Sequence, residues 1–166
     1  MKIELCERPD TPSGGSGGQA MLVLQDGTVF RGRGLGAHGQ VVGEMRFDRP
    51  MAAFRESLID PACTDRIVVL THLHVADGGM DDGRVPVARL GRPGLVLRED
   101  VTRSDGGRAA ATLDAWLRSR HIVAIAGLDT CALEHHVRAA HAPRGCLAFT
   151  PDGGYDLARL ARLAAA

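Results

Sequence analysis

The sequence predicts an α/β fold, because apolar runs of strand length alternate with segments whose apolar residues recur at helical spacing. The first observation is Asp26-Gly27, which separates two apolar-rich runs over Met21–Gln25 and Thr28–Arg33. A turn of this type predicts a β-hairpin, since glycine adopts positive φ without steric cost. The second observation is a helical pattern over Ala109–Arg120, and together the two predict strands and helices within one domain.

Four glycines, at positions 32, 34, 36 and 39, follow the second strand of the hairpin. We interpret them as a loop with unusual backbone angles. Phosphate binding by this G-x-G-x-G run is the weaker alternative, because no helical pattern opens behind it. A strand is predicted next over Val41–Phe47. Asp48 and Pro50 then favour a helix start, and the residues at helical spacing behind them are Met51, Phe54 and Leu58.

The rest of the chain continues the alternation. Arg66–Val75 is predicted as a long strand, because its first half is continuously apolar, as in a strand buried on both faces. Asp129 or Thr130 is the predicted cap of a helix with Leu133 and Val137 on one face. The other predicted elements are strands over Gly94–Arg98, His121–Ala126 and Gly145–Phe149, the helix over Ala109–Arg120 with Leu113, Trp116 and Leu117 on one face, and a weaker helix over Tyr155–Leu163.

Composition narrows the functional classes. The 166 residues suffice for one domain with a sizeable core, and aromatics make up only 4%, so we expect a core of Val, Leu, Ile and Ala. Twenty basic and 20 acidic residues balance to a formal net charge of zero. Such a balance gives no excess of positive charge for binding nucleic acid or an anionic membrane surface. The sequence also has no 18-residue apolar run that could span a membrane.

Four widely spaced cysteines, Cys6, Cys63, Cys131 and Cys146, form no C-x-x-C motif. The first 20 residues lack the apolar segment of a signal peptide. We therefore expect a cytoplasmic protein with free thiols, and no cofactor is predicted.

The stretch from Val42 to Gly79 carries a family pattern, G-E-x-x-F-x-x-x-M-x-x-[aromatic]-x-E-x-x-x-D-P. It resembles the start of the small, glutamine-hydrolysing subunit of carbamoyl-phosphate synthetase. A later run from His121, H-I-V-A-I-A-G-L-D-T-C-A-L, is similar to N-I-V-A-I-x-x-I-D-T-R-x-L of that family. The positions with the same or a similar residue in the first stretch are Gly43, Glu44, Phe47, Met51, Phe54, Glu56, Asp60, Pro61, Thr71 and Gly79.

The resemblance extends from about Met21 to Phe149 and implies the amino-terminal domain of that subunit. This domain is an α/β unit of mixed sheets with flanking helices, and it abuts a glutaminase domain and a large synthetase subunit. We accordingly expect a flexible tail over residues 1–20, the domain over 21–150 and a linker or helix over 151–166. Because the chain stops at Ala166, ahead of the family's second domain, we expect a domain that stands alone, without glutaminase activity.

Departures from the family pattern cluster at one edge. The family places a Ser of the glutamine pocket directly after Asp-Pro, where this chain has Ala62, and Cys63 replaces the Tyr that follows. The family's T-G-Y-Q corresponds here to A-A-F-R over residues 52–55, and its P-x-I-G-N-x-G loop to residues 73–79. We interpret these departures as a fold that was retained after the family's original function was lost. The alternative is neutral sequence drift in a degenerate copy of the gene.

The predicted site lies at this edge. His72 and His74 are two residues apart in the predicted strand, so both imidazoles project to the same face, about 7 Å apart. With Asp77 in the following loop and Glu56 on the preceding helix they suit general acid–base chemistry, and Cys63 suits a nucleophile if an imidazole lies within reach. The alternatives are a Zn²⁺ or Fe²⁺ site and histidines that face solvent or a partner; no metal is assigned.

Two functions follow from these patterns. The first is a partner-binding or interface domain that contacts itself or a synthetase-like or glutaminase-like protein. The alternative is an enzyme on a small-molecule substrate in a specialised biosynthetic pathway, which would use His72 and His74 with Glu56, Asp77 or Cys63. A fragment without a task is the third interpretation.

Overall fold

The computed structural model describes residues 5–6, 18–48, 65–71, 94–98 and 108–166. Within these residues the elements confirm a mixed α/β fold. In chain order they are β1 (Leu5–Cys6), β2 (Gln19–Leu24), β3 (Val29–Gly36), β4 (Gly39–Asp48), β5 (Arg66–Leu70), β6 (Gly94–Leu97), α1 (Arg108–Ser119), β7 (Val123–Ala126), α2 (Thr130–Ala139), β8 (Arg144–Phe149) and α3 (Leu157–Ala165).

Seven of the described strands close into a ring, in the order β3-β2-β8-β4-β5-β6-β7, because β7 pairs back onto β3. The neighbours β4, β5, β6 and β7 run parallel, whereas the other contacts around the ring are antiparallel. β1 adds a two-residue parallel pairing to the start of β3. Closure gives every strand of the ring two neighbours and leaves no open edge along it.

Alternating side chains divide the core into an interior and an exterior. The interior cluster takes alternate residues of the strands, such as Leu22 and Leu24 of β2 and Ile67 and Val69 of β5, all of them fully buried. Leu133 and Val137 join this cluster, so α2 packs against the interior. Outside the ring, α1 covers β5, β6 and β7, and α3 covers β2 and β8.

Local signals predicted several elements correctly. The Asp26-Gly27 hairpin is confirmed: Gly27 has a φ of 92°, and its N–H donates to the Leu24 carbonyl at 2.9 Å. Asp129 caps α2, accepting from the backbone N–H groups of Cys131 at 3.2 Å and Ala132 at 3.0 Å. Leu113 and Leu117 of α1 are fully buried, as the helical pattern predicted.

Two predicted boundaries were wrong. The predicted glycine loop is instead strand, since β3 runs through Gly32, Gly34 and Gly36. The strand predicted over 66–75 ends at Leu70, and Thr71 lies in a bend. β2 begins at Gln19, close to the predicted start of the domain, and Leu5–Cys6 pair with β3; the flexible tail over residues 1–20 and the other domain bounds stay predictions.

The chain after β8 is ordered into α3. Asp156 caps this helix by accepting from the Arg159 N–H at 2.9 Å. The Tyr155 hydroxyl accepts from the Thr150 N–H at 3.0 Å and donates to the Gln19 carbonyl, which fixes the approach to the helix. None of the helices within the described ranges is long and apolar enough to cross a membrane.

Candidate functional site

The five predicted site residues, Glu56, Cys63, His72, His74 and Asp77, lie outside the described residues. So do Ala62 and the predicted helix over residues 51–58. The same-face argument for His72 and His74 required a strand that continues beyond Thr71, and the described strand ends at Leu70. The acid–base and metal interpretations of these residues therefore remain predictions.

The ring fixes where the chain enters the segments that carry these residues. β4 and β5 run parallel and end level with each other, because Asp48 pairs with Leu70, and Leu70 in turn pairs with Leu97 of β6. Segments 49–64 and 72–93 thus leave the barrel from the carboxyl ends of adjacent parallel strands. In α/β proteins the carboxyl ends of parallel strands commonly form ligand sites.

A charged row crosses the outer surface of the barrel. Glu44 of β4 pairs with Arg144 of β8 on one side and with Arg66 of β5 on the other, so the three side chains share a face. Arg66 Nη1 lies 4.0 Å from Glu44 Oε2, and both side chains are about half exposed. These residues, with Asp65, Gly43 and Val42, line a shallow cleft of about 270 Å³.

A hydrogen-bonded cluster joins the β2–β3 hairpin to α2. His136 Nε2 lies 2.7 Å from Asp26 Oδ2 and 3.1 Å from Thr28 Oγ1. The second carboxylate oxygen, Asp26 Oδ1, accepts from the Thr28 N–H at 3.0 Å. The Phe30 ring meets the imidazole edge-on, with 6.3 Å between ring centroids. Sequence reasoning missed this contact, because the two partners of His136 lie 110 and 108 residues away in the chain.

Electrostatics at the cluster favour the ionised Asp26. Partial burial acts to raise its pKa, but the hydrogen bonds from the Thr28 backbone, His136 and the Thr28 hydroxyl outweigh burial and hold the pKa below its ordinary value. A carboxylate that accepts at Oδ2 fixes the imidazole with its proton on Nε2. The cluster therefore acts as a clamp between hairpin and helix.

The described thiols differ in accessibility. Cys131 is exposed in the first turn of α2, whereas Cys146 of β8 is fully buried in the cluster that β8 forms with α3. Burial raises the pKa of Cys146 to about 11, which keeps it a neutral thiol. No group of three or more His, Cys, Asp or Glu side chains within the described part of the chain is placed to hold a metal ion.

Comparison with known proteins identifies relatives. Residues 22–147 match the family model for the carbamoyl-phosphate synthase small chain, CPSase domain. The carbamoyl phosphate synthase small chain of Mesorhizobium japonicum is 42% identical over 151 residues, which are 89% of this chain and 38% of that protein. The corresponding protein of Agrobacterium fabrum is 37% identical over 145 residues, 85% of this chain and 36% of the relative. That of Brucella ovis is 39% identical over 150 residues, which are 88% of this chain and 37% of the relative. The chain thus spans less than two fifths of the length of these relatives.

Proposed function

Since this chain belongs to the family of carbamoyl-phosphate synthase small chains, through the CPSase domain of that family, we propose that it acts as a partner-binding domain. Its partner is a larger synthetase chain, and it has no glutaminase activity of its own. The observation that carries this proposal is that the matched region coincides with the barrel. The match runs from Leu22 in β2 to Leu147 in β8, so every strand of the closed ring contributes to it.

The surface of β4 is the docking face that we propose. α1 and α3 cover the outer faces of the strands on either side of the ring, whereas Gln40 and Glu44 of β4 are exposed. This face is polar and carries the Arg144–Glu44–Arg66 row. Interfaces between proteins that also exist apart are about as polar as the rest of the surface, and arginine is enriched in them. The face leads directly to Asp48, where segment 49–64 begins.

One described thiol, Cys146, is unsuited to glutamine hydrolysis, which agrees with a binding role. A nucleophilic cysteine needs a populated thiolate and a base within reach. Cys146 offers neither access nor a lowered pKa, because burial raises its pKa to about 11. The resemblance adds Ala62 at the position of the family's pocket serine.

Co-purification tests the proposal. The tagged chain, co-expressed with the large synthetase chain of a rhizobial relative, should retain that chain, and the charge reversal Glu44→Arg should weaken retention about tenfold or more by placing like charges in the interface. The reversal Asp152→Arg, at an exposed position in the loop before α3, is the matched control. The chain alone should release no ammonia from glutamine above background. A wild-type chain that retains no large chain would overturn the proposal, and a dimer in light scattering would assign the face to a second copy.

A second candidate function, an enzyme on a small molecule, is favoured by one observation. The segments with Glu56 and Cys63, and with His72, His74 and Asp77, leave the barrel at adjacent parallel strand ends. We expect the double variant His72→Ala, His74→Ala to lose the ability to restore the phenotype of a strain in which the gene for this protein is deleted. Its melting temperature should stay unchanged. His135→Ala with His141→Ala, both exposed, is the control pair. Full complementation by the first double variant argues against the catalytic role.

A further inference from the structure

We propose that the cleft beside the Arg144–Glu44–Arg66 row binds a carboxylate group through the guanidinium of Arg144. This inference goes beyond the proposed function and does not rest on it. The geometry begins with strand pairing: Glu44 lies opposite Arg144 on one neighbouring strand and opposite Arg66 on the other. Side chains of directly paired residues project to the same face, so two guanidinium groups flank one carboxylate.

The Arg144 side chain has unmet hydrogen-bonding capacity. Among the described residues, its buried Nε–H group has no acceptor, and its guanidinium has no ion-pair partner. An arginine presents five N–H donors in a planar fork, and a carboxylate is the acceptor that matches this fork. A carboxylate in the cleft would engage the terminal N–H groups, and a small rotation of the guanidinium would turn Nε–H toward the same ligand. Occupancy would thereby satisfy donors that the described residues leave without partners.

The charges of the cleft favour a singly charged ligand. Glu44 is already engaged, though loosely, with Arg66 at 4.0 Å. The row carries one formal positive charge, and Asp65 in the cleft lining cancels it, so a carboxylate would be held there by the N–H donors of Arg144 rather than by net charge. Asp65 also lines the cleft, so a doubly charged phosphate meets more repulsion there than a carboxylate does. A carboxylate monoanion is therefore the chemical class that this cleft suits best.

The backbone forms part of the cleft wall. A Cβ at Gly43 would overlap the Asp65 carbonyl group, so β4 and the turn before β5 approach each other more closely than any side chain allows. The volume of about 270 Å³ lies close to the lower bound of roughly 300 Å³ for small-ligand pockets. The space suits a small organic acid or a single acidic side chain.

Arginine-detected NMR tests the proposal. The Nε–Hε resonance of Arg144 is followed in the ¹⁵N-labelled chain at constant ionic strength, with acetate, N-acetyl-glutamyl amide and inorganic phosphate as probes. We expect a saturable shift with at least one of the two carboxylates, and a weaker response to phosphate. Acetate binding alone indicates a free organic acid, and binding of the glutamyl amide alone indicates an acidic side chain of another protein.

A conservative variant separates hydrogen bonding from charge. Arg144→Lys keeps the positive charge but loses the planar fork, so it should weaken carboxylate binding about tenfold. Because this variant has no arginine signal at position 144, its affinity is read from backbone amide shifts of Glu44 and Arg66. Arg138→Lys, on the exposed face of α2, is the matched control and should bind as the wild type does. No saturable shift with either carboxylate, tighter binding of phosphate, or equal affinity in Arg144→Lys would overturn the proposal.

Discussion

Asp26 and His136 form a polar contact between residues 110 positions apart, and this contact joins the β2–β3 hairpin to α2. The carboxylate is held ionised by hydrogen bonds from Thr28 and His136. Its pKa is lower in the folded chain than in the unfolded chain, so its contribution to stability is fully present above the ordinary Asp value of about 3.9. This contribution is lost as the pH falls through the lowered folded value.

We predict that Asp26→Asn lowers the free energy of unfolding by about 0.5–1 kcal/mol at neutral pH, a modest amount because both partners are about 30% exposed. The difference from the wild type should hold down to about pH 5 and shrink below about pH 4. Chemical denaturation at several pH values measures it. His135→Ala, an exposed neighbour on α2, should leave stability unchanged. An Asp26→Asn difference that grows toward low pH contradicts the assignment.

Residue-level predictions succeeded where the signal is local. The Asp129 cap and the Asp26-Gly27 turn depend on neighbours within three residues, and both are confirmed. The Asp26–His136 contact had no such signal, because nothing in the chain near Asp26 specifies a partner on α2.

At the scale of elements, β3 shows why a glycine-rich run was misassigned. Glycine usually marks loops, and the run was predicted as one. In the barrel, however, β3 pairs with β2 from Val29 to Arg33 and with β7 from Arg33 to Gly36, and interior side chains pack against it. A Cβ at Gly32 would lie 2.5 Å from the Ala126 carbonyl oxygen, and one at Gly34 would overlap the Phe149 ring. These glycines are strand residues that permit close approach.

Gly34→Ala should therefore destabilise the barrel by roughly 2–3 kcal/mol, because the added methyl group forces the buried Phe149 ring out of place. For a chain of this size the melting temperature should fall by roughly 4–12 °C. Gly154→Ala is the matched control, since a Cβ there meets nothing within 4 Å. Equal melting temperatures for the two variants would mean that the interior has room at Gly34.

The predicted end of β5 failed for a different reason. Arg66–Leu70 is continuously apolar after its first residue and was correctly predicted as a buried strand. The pattern beyond Thr71 alternates, which also suits a strand, and local periodicity gave no stop signal. The end is instead set by β4 and β6, because Leu70 pairs with Asp48 and Leu97, the last residues of those strands.

At the scale of the whole molecule, local sequence patterns could not predict that the strands close into a ring. The alternation of strand and helix patterns predicted the α/β class, and the family resemblance added mixed sheets with flanking helices. The pairing of β7 with β3 joins residues about 90 positions apart, and the sequence around Gly34 or Ile125 contains no pattern that predicts this pairing. The five predicted site residues sit outside the described ranges, so only the strand ends from which their segments depart are fixed.

Closure makes the amino-terminal boundary testable. β1 contributes one two-residue pairing, and the ring closes without it through β3 and β7. We predict that deletion of residues 1–17 changes the melting temperature by less than roughly 4 °C, which corresponds to about 1 kcal/mol for a domain of this size. Deletion of residues 1–22 should instead abolish cooperative unfolding, because it removes most of β2, the strand that joins β3 to β8 and buries Ala20 and Leu22. Calorimetry of both truncations measures these outcomes. A large fall in melting temperature after deletion of residues 1–17 would show that the segment before Gly18 packs against the barrel. Cooperative unfolding after deletion of residues 1–22 would show that the ring tolerates opening between β3 and β8.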